Sequence, residues 1–190
     1  NWYNLAAEWS SSTIDQSHRY IMNAVYELPF FKKQAGFLPK VLGGWQMGGI
    51  WMGFSGGPLG IGSNVNNTFS QGGGQRPNWN GTSPCVSNPT AERWLDSSVF
   101  TNPPAYTFGN LGRTLNGCRS DVTSQIDMTL TKNTRIKEKL NVQFRTEMFN
   151  ITNTVRFSPP NQTLGNPQFG QIAAQNNQPR VIQFGLKLIF

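Results

Sequence analysis

The feature that most constrains this chain is an alternation of period two through residues 180–190. Ile182, Phe184, Leu186, Leu188 and Phe190 hold the even positions, and all are apolar. The odd positions include Gln183, Gly185 and Lys187, with Val181 and Ile189 nearer the ends. Successive side chains of a strand point to opposite faces, so the pattern predicts a strand with one wholly apolar face. A helix would scatter the same residues around its axis.

The same period recurs upstream. Over 139–150, Leu140, Val142, Phe144, Thr146 and Met148 share one face, and Asn141, Gln143, Arg145 and Glu147 the other. Arg145 and Glu147 project to the same side and can pair, although an exposed pair of this kind contributes little energy. Over 122–133, Ile126, Met128 and Leu130 alternate more faintly with Gln125, Asp127, Thr129 and Thr131. The short link 134–138 predicts a hairpin between these two strands. Over 18–28, Tyr20, Met22, Ala24, Tyr26 and Leu28 oppose Arg19, Asn23 and Glu27, with Ile21 and Val25 weakening the contrast. Pro29 ends this strand because it cannot donate to a ladder. Residues 45–54 form a fifth candidate, rich in glycine and aromatics, whose two faces the pattern does not separate. Only 90–100, with Thr90 as N-cap, carries a helix signal.

Composition bounds the chemistry. The 190 residues fit one ordinary domain, and 12% aromatic content argues against disorder. The chain starts on Asn1, without a basic stretch leading into an apolar core, as a mature protein or a piece of a larger one would. No window holds the roughly 18 consecutive apolar residues of a transmembrane helix. Sixteen Lys and Arg outnumber nine Asp and Glu, giving +7, yet no basic run exceeds Lys32-Lys33. A nucleic-acid partner would require clustering, so none is expected. With His18 as the only histidine and no CxxC, neither a metal site nor a catalytic constellation is expected. Asp121 and Asp127 read as polar lumen residues, and no enzyme activity or cofactor is expected. Gly72-Gly73-Gly74 lacks the following Lys and Ser/Thr of a phosphate loop and reads as a flexible loop. Cys85 and Cys118 leave two readings open: two free thiols, or a disulfide stapling a long loop in an oxidising compartment. The second is preferred.

Connections alternate in length. Residues 31–40 and 134–138 are short, whereas 56–120 and 153–178 are long. One end of the sheet thus has tight turns and the other carries large loops, the layout of an outer-membrane barrel. Alternation alone fits a soluble β-sandwich as well. Three features favour the barrel: polar faces suited to a wet lumen, aromatics gathered near strand ends (Tyr20, Tyr26, Phe30, Phe31, Trp45, Phe149, Phe190), and an aromatic last residue. The expected fold is all-β: about five strands of an antiparallel transmembrane β-barrel, with long outer loops and short periplasmic turns. Five strands cannot close around a lumen, so residues 1–190 are expected to be the C-terminal section of a larger barrel.

Several stretches, in order, carry a family resemblance. They are His18-Arg19-Tyr20, Glu27-Leu28-Pro29-Phe30, Gly43-Gly44-Trp45-Gln46, Phe108-Gly109-Asn110-Leu111-Gly112-Arg113, Arg145-Thr146-Glu147-Met148-Phe149-Asn150 and Phe169-Gly170-Gln171-Ile172, followed by the strand at 182–188. Nearly the whole chain resembles the TonB-dependent receptor-like outer-membrane proteins of the Oar-like kind. The resemblance implies a barrel in the bacterial outer membrane, preceded by a plug and a regulatory-like domain that these residues do not include. It also implies that Phe184, Leu186, Leu188 and Phe190 form the signal read by the barrel-assembly machinery. The partners it implies are outer-membrane lipid, that machinery, the TonB complex through the N-terminal part, and an imported siderophore, glycan or peptide. Two alternatives share some of these features. One is a passive structural or adhesive barrel. The other is a secreted soluble β-domain binding carbohydrate, with Trp79 and Trp94 as stacking platforms; in the plainer reading these tryptophans anchor their loops.

Overall fold

The computed structural model describes residues 4–31, 36–70, 75–115, 117–137 and 140–190. The described residues fall into two compact units. One comprises His18–Phe54, Thr123–Val155 and Asn177–Phe190; the other takes in Asn1–Ser17, Ser55–Val122 and Arg156–Asn176. Among the described residues, no helix is long and apolar enough to cross a membrane.

The first unit is one antiparallel sheet of five strands: β1 (Arg19–Glu27), β2 (Trp45–Phe54), β3 (Thr123–Lys137), β4 (Leu140–Phe149) and β5 (Val181–Ile189). Each strand pairs with the next in sequence, an up-and-down meander. Register aligns the alternations across the sheet. Tyr26, Met47, Leu130, Thr146 and Phe184 form one transverse row, and Ala24, Gly49, Met128, Met148 and Ile182 the next on the same face. The intervening row, Val25, Gly48, Thr129, Glu147 and Gln183, belongs to the opposite face. This register resolves β2, which the sequence left ambiguous. Trp45, Met47 and Trp51 join the apolar face, and Gln46, Ile50 and Met52 the polar one.

A soluble sheet buries one face against a second layer, yet no residue of β1 or β5 is buried. Phe184 and Leu186 are each 71% exposed, and Tyr20, Met22, Tyr26 and Leu188 are exposed beside them. So continuous an apolar surface exceeds what a water-soluble monomer carries.

Three local features depart from expectation. Residues 134–137, expected in a turn, continue β3, because their alternation continues too: Thr134 lies opposite Val142 and Arg135 opposite Asn141. The register shifts between Arg135 and Lys137, while Glu138 and Lys139, where the turn and the expected strand start fall, lie outside the described residues. Residues 90–100 do not form a helix. Thr90 and Arg93 close a tight turn, and only Ser97–Val99 make a 3-10 turn, capped by Asp96. Tertiary demand overrides the cap, since Leu95, Val99 and Phe100 must all enter a core and Phe100–Thr101 pairs with Asn78–Trp79. Conversely, the link after β1 contains an unexpected helix, α1 (Phe37–Leu42). Its Pro39 sits in the first turn, where a missing N–H costs nothing.

The second unit, built from the segments read as outer loops, has its own core. Leu59, Ile61, Leu95, Val99, Phe100, Leu111, Leu115 and Cys118 are buried together, with Trp79, Trp94, Leu164 and Phe169 packed around them. Phe100 meets Phe169 edge-on at 5.9 Å. Short ladders (Gly62–Ser63 with Thr163–Leu164, Asn78–Trp79 with Phe100–Thr101) tie distant segments together. Arg76 binds Glu8, and Arg119 binds Asp15, fixing the N-terminal segment to the same core. Gly72-Gly73-Gly74, read as a flexible loop, lies outside the described residues.

Candidate functional site

The polar face of the sheet holds a network of paired side chains. Arg145 Nη2 lies 2.6 Å from Glu147 Oε1, as two residues of one strand face permit. The Glu147 carboxylate also accepts from Gln183 Nε2 across the β4–β5 pair. Gln143 Nε2 donates to Asn133 Oδ1 at 2.9 Å. Asp127 accepts from Gln125 Nε2 at 3.0 and 3.1 Å. A cavity of about 540 Å³ is lined by Asn23, Val25, Asp127, Arg145 and Glu147 among others. Gly48 keeps this face open beside Thr129, because a Cβ there would lie 2.6 Å from the Thr129 hydroxyl. Asp121, expected beside Asp127, instead precedes β3 in the loop unit, so only Asp127 sits on the polar face.

Opposite lie the C-terminal residues of the apolar pattern. Phe184, Leu186 and Leu188 stand across from Thr146, Phe144 and Val142, and the rings of Phe144 and Phe184 stack at 6.1 Å. Phe190 follows the last paired residue and is exposed.

Asn150 terminates β4 and organises its exit. It adopts φ +48°, a left-handed conformation that asparagine tolerates. Its N–H donates to Asp127 Oδ1 at 2.8 Å. Its amide donates to the Thr154 and Gln178 carbonyls and accepts from the Thr154 N–H, all within 3.1 Å. A buried amide thus satisfied pins the chain where it leaves the sheet.

In the loop unit, a groove of about 400 Å³ is lined by Trp9, Ser10, Ser11, Trp79, Pro84 and Leu111 among others, with no charged residue in its lining among the described residues. Trp79 is held rigidly. Its N–H donates to Asn110 Oδ1 at 2.7 Å, its carbonyl accepts from Asn110 Nδ2 at 3.1 Å, and its indole N–H donates to the Thr82 carbonyl at 2.6 Å. Gly109 allows this clamp, since a Cβ there would meet the Arg76 carbonyl oxygen at 2.0 Å. Trp94 donates its indole N–H to the Arg119 carbonyl at 3.0 Å and packs on the core, so it is an anchor. Trp79 is an anchor that also lines the groove. Trp9, 93% exposed, lies at the end of the 3-10 turn Leu5–Glu8. Cys85 and Cys118 form a disulfide with Cα atoms 5.7 Å apart, and Cys85 follows the groove residue Pro84 directly. Two carboxyls of this unit are held below their usual range: Glu8 chiefly by its hydrogen bond from Arg76, and Asp96 by the Ser98 backbone N–H.

Sequence reasoning missed Asn150, Asn110 and Trp9. The first two lie inside motifs quoted for resemblance, and an asparagine directly after a strand was the available signal for Asn150. No periodic signal marks Trp9.

A meander with one continuous, exposed apolar face and one polar face is the layout of the wall of a transmembrane β-barrel. A family model described as an outer membrane beta barrel domain matches residues 1–183, and the chain belongs to that family, which places it in the bacterial outer membrane. Comparison with curated proteins and with solved structures gives no match.

Proposed function

We propose that this chain supplies part of the wall and the ligand-receiving outer surface of a TonB-dependent, Oar-like importer. The observation that carries the reading is the groove at Trp9 and Trp79, which is aromatic, holds Trp79 in a hydrogen-bonded clamp and is uncharged among the described residues. A purely structural barrel has no need of a preformed, disulfide-braced groove, whereas a receptor does. Among the three ligand classes, the uncharged lining favours a glycan: sugar C–H faces stack on indoles, and Ser10 and Ser11 offer hydroxyls. A ferric siderophore would call for complementary charge.

The five strands supply wall, and strands beyond these five close it. β1 and β5 each have one neighbour and run in the same direction, so joining them directly would break the antiparallel order. The apolar row Phe184, Leu186, Leu188 and Phe190, beside the unpaired edge of β5, suits recognition by the barrel-assembly machinery through strand addition. Energy coupling to the TonB complex belongs to the plug and N-terminal part of such a receptor. No enzymatic step enters this function.

The test is uptake of a fluorescent neutral oligosaccharide by cells making the intact protein. Uptake that is lost on deleting TonB and weakened by Trp79→Ala supports import through this groove. Unchanged uptake without TonB favours the passive barrel.

A further inference from the structure

We infer that the α1 link is a membrane-interface anchor: it lies on the lipid side of the wall and inserts its apolar side into the adjoining leaflet. This rests on the outer-membrane reading of the sheet and goes beyond it, because a strand-to-strand link needs only to turn the chain.

Three observations carry it. First, α1 is amphipathic although short. At about 100° per residue, Phe37, Leu38, Val41 and Leu42 fall within an arc of about 140°, and Pro39 and Lys40 fall outside it. None of its residues is buried; Phe37 is 80% and Leu38 65% exposed. Phe30 and Phe31, which precede the helix in the same link, are exposed as well.

Second, the attachment point identifies the side. Lys132 lies in the apolar row between Trp45 and Phe144, so its side chain leaves the sheet on the lipid side. Its ammonium donates to the Lys40 carbonyl at 2.9 Å and to the Gly43 carbonyl at 2.7 Å, and sits 5.1 Å from the centroid of the Trp45 ring. A cation on the carbonyl end of a helix complements both its unpaired acceptors and its dipole. The C-terminal end of α1 is therefore tied to the outer surface of the sheet rather than to its polar face.

Third, the position matches a bilayer boundary. A lysine in a lipid-facing row is costly at mid-membrane, and it is tolerated at the interface beside an aromatic ring. The exposed apolar arc then continues the lipid-facing belt at the level of the headgroups, with Lys40 turned toward their phosphates.

The experiment uses the intact protein in vesicles of phosphatidylethanolamine and phosphatidylglycerol, with an environment-sensitive fluorophore on single cysteines. The label on Leu38→Cys is expected to emit to the blue and to be quenched by lipid with brominated acyl chains, as is one on Leu186→Cys in the wall. The label on Lys40→Cys is expected to emit nearer its wavelength in water. Water-like, unquenched emission at Leu38→Cys with normal quenching at Leu186→Cys overturns the anchor. Loss of quenching at Leu186→Cys overturns the lipid-facing assignment of the wall itself. Lys132→Met, which leaves an apolar residue on the wall, is expected to release α1 and reduce quenching at Leu38→Cys; unchanged quenching overturns the tether.

Discussion

The two units of this chain solve the burial problem in opposite ways. The sheet turns Tyr26, Met47, Leu130 and Phe184 outward and, among the described residues, contributes no side chain to the buried hydrophobic core. The loop unit gathers Leu59, Ile61, Leu95 and Leu111 into a conventional interior. Burial in the sheet is completed by lipid, and in the loop unit by protein. The same substitution should therefore cost very different amounts in the two places, and the sharpest tests exploit that.

The largest effect is expected in the loop core. Leu59 is 1% exposed, and Leu59→Ala should destabilise that unit by about 2–5 kcal/mol through lost burial and an unfilled cavity. Limited proteolysis should find new cleavage sites in 55–122, while the heat-modifiable gel mobility that reports a folded barrel stays unchanged. If barrel mobility is lost as well, the units do not fold independently and the comparison fails.

Next comes the wall. Leu186→Arg places a charge on the lipid-facing row, at a cost of about 2–4 kcal/mol near mid-membrane. Assembly of the intact protein, followed by its heat-modifiable band, should fall sharply. Normal assembly would show that Leu186 does not face lipid. Leu186→Ala, which leaves no buried cavity, should be tolerated far better than Leu59→Ala.

A smaller effect is expected where the sheet hands the chain on. Asn150→Ala removes three amide hydrogen bonds and leaves a strained φ, for a loss of about 1–3 kcal/mol. Thermal unfolding of the intact barrel measures it. Asn150→Gly relieves the backbone strain only, so an equal loss in both variants assigns the effect to the amide.

How legible each unit was in the sequence follows from the same contrast. A two-sided wall writes its environment into every second residue, so β1, β4 and β5 were readable to within a residue or two at each end. Strand β2 was harder because its glycines and aromatics give no contrast; only pairing with Ile126, Met128 and Leu130 orients it. The loop core has no period. Leu59, Leu95, Leu111 and Leu115 come from irregular backbone, where direction is set by contacts such as the Asn110 clamp on Trp79 rather than by position in a repeat. For the same reason, Thr90 read as the start of a helix and caps only a turn. On the polar face, the Arg145–Glu147 spacing was legible because both lie on one strand. The cross-strand bond from Gln183 required the register of β5.

The smallest effect is a pH dependence expected of the loop unit alone. Glu8 is held below its usual value of 4.5, first by the hydrogen bond from Arg76 and also by that residue's charge. A carboxyl with a lower value in the folded state adds stability that is fully present above its unfolded value and is lost as pH falls through the folded one. Acidification below the usual value of 4.5 should therefore loosen the contact between Glu8 and Arg76, and only weakly, because both side chains reach solvent. Protease sensitivity within residues 4–17 should rise over that range. Arg76→Ala should show the raised sensitivity already at neutral pH and abolish its dependence on acid. The heat-modifiable mobility of the barrel should not follow the same curve, since lipid rather than this ion pair completes the burial of the wall. A single acid transition shared by the protease and mobility readouts would show that the two units are coupled more tightly than their different modes of burial imply.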